Sequence, residues 1–162
     1  MAIVKPNNNT LSAITTLPAA IPTGKVLQVI HGSTVTQATE TSGSQTDTGL
    51  TASITPSATS SKIFISLTQT FGKNASNTQI DAYLYRDSTT IVSEWLNDDI
   101  RTGDASNFYP GTSSLVWYDS PSSTSAITYK TTFRNAAASG TVYAQPNNGR
   151  SSIILMEIAG WY

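Results

Sequence analysis

An all-β fold, an antiparallel β-sandwich or jelly roll with an extended N-terminal arm, is predicted by three observations on the 162-residue sequence. Apolar side chains recur at every second position in one short segment after another, which is the spacing of half-buried strands. Serine and threonine fill 47 positions, threonine suiting exposed strand faces and serine the turns between them. No segment keeps an i, i+3, i+4 apolar stripe long enough for a helix. The nearest, VSEWLNDDI at 92–100, runs directly into the turn-rich RTGDASNFYPG. Strands spaced by roughly 8–15 residues, with no helices between them, belong to sandwiches and jelly rolls.

Residues 1–24, MAIVKPNNNTLSAITTLPAAIPTG, form the arm. Three prolines and an asparagine run keep it extended and non-helical. Ile3, Leu11, Ile14, Leu17 and Ile21 are too apolar for a solvated tail and too dispersed for a core. Such a segment gains most by lying along another protein and ordering on contact. The β domain spans 25–162. KVLQVI (25–30) is its first strand, ending before His31 and Gly32. TDTGLTASITP (46–56) alternates Leu50, Ala52 and Ile54 with Thr51, Ser53 and Thr55. KIFISLTQTF (62–71) sets Ile63, Ile65, Leu67 and Phe71 against Phe64, Ser66, Thr68 and Thr70, and QIDAYLYRD (79–87) sets Ile80, Ala82 and Leu84 against Tyr83 and Tyr85. A turn at Asp87-Ser88-Thr89 makes a hairpin with TTIVSEW (89–95). SLVWYD (114–119), AITYKTTF (126–133), GTVYA (140–144) and SIILMEIAG (152–160) complete the set. The connection 96–112 is long for a hairpin, and loops of that length tend to be functional or interfacial.

Composition removes several kinds of chemistry. A net charge of −1 leaves no electrostatic footprint for nucleic acid or anionic membrane. With no cysteine, disulfides, thiolate metal sites and cysteine nucleophiles are excluded. Stability must therefore come from packing or oligomerisation. No apolar run reaches the roughly 18 residues of a membrane helix, and Pro18 and Pro22 break LPAAIP, so neither membrane insertion nor a secretion signal is expected. The ten glycines are scattered singly, without a P-loop or dinucleotide fingerprint. No cofactor is expected.

Catalytic candidates are few. His31 is the one histidine, reads as a turn residue, and has no G-x-S-x-G or Ser-x-x-Lys partner motif. Glu94 with Asp98 or Asp119 would be the carboxylates of a glycosidase, but nothing in the spacing builds a cleft between them. Asn97, Asp98, Asp99 and Asp104 are hard oxygen donors for calcium; their spacing departs from the calcium-loop pattern, and Arg101 is a ready ion-pair partner. The chain is read as a non-enzyme without a metal site. Trp95, Asp98, Asp99, Phe108 and Tyr109 make a candidate glycan or receptor contact, since sugar rings stack on aromatic faces beside carboxylates. The competing reading of the aromatics is core or subunit interface. Trp161 and Tyr162 are candidate interface residues, because exposed terminal aromatics would promote aggregation.

NNNTLSAITTLPAAIPTGKVLQV, SITPSATSSKIFI, SPSSTSAITYKTTFRNAAASGTVY and SIILMEIAG resemble segments of small virion proteins of tailed bacteriophages, cyanophages and other phages of aquatic bacteria among them. The resemblance runs from Asn7 to Gly160. It implies a fibre, collar or head decoration module of the virion, a homotrimeric jelly roll attached to other virion proteins by its arm. The alternative it leaves open is a receptor-binding module that recognises host surface glycan.

Overall fold

Alternating segments become ten strands in the computed structural model, which describes residues 24–76, 78–97 and 109–160. They are β1 (Val26–Thr34), β2 (Ala38–Glu40), β3 (Thr46–Ile54), β4 (Lys62–Lys73), β5 (Ile80–Arg86), β6 (Thr89–Asn97), β7 (Tyr109–Asp119), β8 (Ile127–Asn135), β9 (Val142–Ala144) and β10 (Ser151–Ile158). Every pairing is antiparallel.

Two sheets face each other. The first runs β1-β10-β4-β7, with β9 continuing beside β4 beyond the end of β10 and β2 pairing with β9. The second runs β3-β8-β5-β6. Leaving out the short β2 and β9, the first sheet holds the first, eighth, third and sixth long strands, and the second sheet holds the second, seventh, fourth and fifth. That order is the double-Greek-key wrapping of a jelly roll, as the strand pattern predicts.

Alternation decides what lies between the sheets. Ile63, Ile65 and Leu67 of β4 and Ile153 and Leu155 of β10 meet Leu50, Ala52 and Ile54 of β3, Leu84 of β5, and Ile127 and Tyr129 of β8. A second cluster at the other end joins Phe71, Ile80, Ala82, Leu96, Phe133, Val142 and Ala144. Trp95 packs against both clusters and so links them.

Two buried carboxylates fix the layout. Glu157 Oε1 accepts from the backbone N–H and hydroxyl of Ser57 (2.7 and 2.6 Å) and from the Ser61 hydroxyl (2.6 Å), while Oε2 accepts from Gln28 Nε2 at 2.6 Å. The β3–β4 connection is thereby tied to β10. At the end of the sandwich, Asp119 of the first sheet accepts from Arg86 at 3.0 Å and from the Tyr129 hydroxyl at 2.7 Å, both on the second sheet. Burial and that carboxylate together push the Tyr129 phenol well above its ordinary range.

Several sequence expectations shift. The first strand does not end at Ile30 but continues to Thr34, so His31 is an exposed mid-strand residue opposite Ile154 rather than a turn residue. Gly32 is kept inside the strand by a close approach: a Cβ there would sit 2.2 Å from the carbonyl oxygen of Thr51 in the facing sheet. Strand β2 has no alternation in three residues to announce it. The segment 92–97 is strand, bulged at Glu94, which has φ of 48°. Strand β7 starts at Tyr109, opposite Lys73, so the long connection shortens to 98–108, which lies outside the described residues.

Candidate functional site

The two outer faces of the sandwich differ in chemistry. On the second sheet the outward side chains are polar and tied to one another. Lys130 pairs with Asp47 at 2.9 Å, and Arg134 pairs with Asp81 at 2.8 Å and with Glu94 at 3.1 Å. The Tyr83 hydroxyl donates to Glu94 at 3.2 Å and its ring lies under Arg134 at 5.6 Å; burial pushes that phenol up to about 12. The Tyr85 and Thr132 hydroxyls both donate to Gln45 Oε1. These contacts hold charge in place on a face built for water or for a polar neighbour.

The first sheet carries the opposite pattern. Its ladder registers place Val29, Met156, Phe64 and Tyr118 side by side in one outward row across β1, β10, β4 and β7, and His31, Ile154, Ser66 and Val116 in the next. Ile158 and Lys62 lie beyond the first row. In the other direction follows a hydroxyl row of Ser33, Ser152, Thr68 and Ser114. Val116, Val29 and Tyr118 are 61%, 55% and 50% exposed; Phe64, Ile154, Met156 and Ile158 are half-buried. No outward position of these four strands is acidic. Among the described residues β7 pairs only with β4, so no described strand covers its far edge. Trp117, opposite Ile65 in the ladder, is 39% exposed.

The sequence carries a signal for this surface. Ile153-Ile154-Leu155-Met156 and Leu115-Val116-Trp117-Tyr118 are unbroken apolar runs. In a strand, such a run puts apolar groups on both faces, whereas a sandwich strand with one wet face alternates.

Among the candidate contact residues, Trp95 packs into the core, its ring 5.9 Å from that of Phe71, and its buried indole N–H has no partner among the described residues. Tyr109 heads β7, and Asp98, Asp99 and Phe108 lie outside the described residues. So do Ile3, Leu11, Ile14, Leu17 and Ile21 of the arm, of which only Gly24 is described, and the terminal Trp161 and Tyr162. The carboxylates considered for glycoside cleavage are not brought together: Glu94 is on the outside of the second sheet, whereas Asp119 ends β7 of the first sheet and points inward, tied to Arg86. Among the described residues no three histidine, aspartate or glutamate side chains converge on a point where a cation would sit.

No family model matches the sequence, and no curated protein sequence matches it either. Among solved structures, the chain is similar to the VP2 subviral particle of infectious bursal disease virus, at a TM-score of 0.43 and 15% identity over 85% of this chain. The aligned part spans 39% of the VP2 chain. At that level of similarity nothing about function passes from one chain to the other.

Proposed function

We propose that the chain is a structural protein of a bacteriophage virion: a fibre, collar or head decoration module, homotrimeric, held to other virion proteins by its N-terminal arm. It works by packing and display and not by turning over a substrate. One observation carries this reading beyond the sequence resemblance. The sandwich has one outer face of mutually paired polar groups and another that exposes contiguous apolar rows. A lone soluble domain rarely leaves such a patch bare, and patches of this kind mark protein contacts. A face for packing and a face for water are what a component of a larger particle needs.

The test is particle composition. Phage purified through a density gradient is analysed by mass spectrometry, and particles are decorated with antibody against the β domain. Peptides from this chain at stoichiometric level, with antibody bound at one defined location, are the expected result. A chain that stays in the soluble lysate and is missing from infectious particles would overturn the reading.

A further inference from the structure

We infer that the outer face of the β1-β10-β4-β7 sheet, with the adjoining β7 edge that no described strand covers, is covered by a second copy of this chain. The inference deepens the assembly role proposed above, naming the surface and what covers it.

Charge argues first. Besides the Tyr118 phenol, the titratable groups at described outward positions of the four strands are Lys62 and His31, with no carboxylate among them. A cationic ligand or partner would find no carboxylate to pair with, and the β7 edge of a second copy brings no exposed charge against Lys62. On the other sheet Arg134 and Lys130 are already engaged with aspartate and glutamate. The apolar rows, bordered by the hydroxyl row of Ser33, Ser152, Thr68 and Ser114, repeat the arrangement of protein interfaces: a dry centre within a polar rim.

Size points the same way. At standard strand spacing and rise, four strands of this length present a face of about 20 by 28 Å, or about 550 Å² before side-chain relief is counted. A stable complex needs about 800 Å² from each partner. The flat face alone supplies about two thirds of that, and the relief of Val29, Val116 and Tyr118, each half or more exposed, adds to it.

Geometry then sets the kind of contact. Face and edge are non-equivalent places on one molecule, so the edge of one copy against the face of the next is a head-to-tail contact, which stays finite only by closing into a ring. An open β-strand edge lined with apolar side chains is also the feature that folded proteins cover. A ring closed through β7 covers it in every copy.

The test uses the full-length chain. Light scattering after size exclusion is run on the wild type and on Val116→Lys and Met156→Lys. The wild type is expected at a multiple of 17.2 kDa, and each variant at the single-chain mass with an unchanged far-ultraviolet circular dichroism spectrum. Variants that keep the wild-type mass, or a wild type that is itself monomeric, overturn the inference. Should the lysine variants fail to fold, thiol labelling decides. The chain has no cysteine, so Val116→Cys places one thiol on the face and Ser53→Cys one on the exposed opposite sheet. Labelling by a maleimide is expected to be about tenfold or more slower at Val116→Cys than at Ser53→Cys. Equal rates overturn the inference, as does protection in a chain that scatters as a monomer, which would put the chain's own arm on the face. Absence of the protein from phage particles would remove the virion role and leave these masses and rates unchanged, so the two failures can be told apart.

Discussion

Glu157 shows how one buried group sets a pH limit on the whole sandwich. Burial on its own would raise this carboxyl, but hydrogen bonds from Ser57, Ser61 and Gln28 outweigh it and hold the group down to about 2, from an ordinary 4.5. A carboxyl depressed in the folded state stabilises the fold above its unfolded value, and that contribution fades as pH falls from 4.5 towards 2. At about 1.4 kcal/mol per unit the contribution is about 3 kcal/mol. Glu157→Gln is therefore expected to lower unfolding stability by about 3 kcal/mol at pH 7. The gap to wild type narrows at pH 3, as urea titrations at the two pH values will show; parallel losses would contradict the assignment. Trp95 gives a second prediction. Because its ring lies against Phe71 and bridges the two core clusters, Trp95→Ala should cost about 3 kcal/mol by urea titration, as for large-to-small core changes. A loss below about 0.5 kcal/mol, typical of surface positions, would mean the ring does not pack as described.

Among the elements, β1 depends most on a single position. It pairs with β10 from Val26 to Thr34, and at Gly32 its backbone passes so near Thr51 that any β-carbon must push the sheets apart. Gly32→Ala is expected to cost about 2–4 kcal/mol and to raise hydrogen exchange along β1 and β10 before the rest of the sandwich. Uniform exchange, with stability unchanged, would contradict that placement. The same element explains what was legible in the sequence. Long strands such as β3, β4 and β8 announce themselves because polar and apolar residues alternate along each. The sequence pattern ends β1 at Ile30, because a glycine inside a strand looks like an end until the facing backbone is known. Strand β2 has only three residues, and its hold on β9 is a long-range pairing that no local pattern encodes. The extent of the apolar outer face is hidden in the sequence for a related reason. Ile154, Met156, Phe64, Val29 and Val116 are far apart in sequence and become one patch only through the registers of four strands. The aromatic residues at 95–109 drew attention because they are close in sequence, yet Trp95 turned into the core.

For the whole molecule, the jelly roll provides two broad surfaces, and the chemistry divides between them. Ion pairs and tyrosine hydroxyls hold the second sheet's face in a fixed polar pattern, whereas the first sheet's face gains only by being covered. With no cysteine, the chain has no disulfide to draw on for stability. Packing copies through that face gives the stability and, by ring closure, a defined end to assembly. The most direct measurement is the solution mass of the full-length wild-type chain by light scattering, taken across a hundredfold range of concentration. A constant mass of three times 17.2 kDa is the predicted result. A species that stays at 17.2 kDa up to the highest concentration would contradict the account, because no second copy would then cover the apolar face in the free protein.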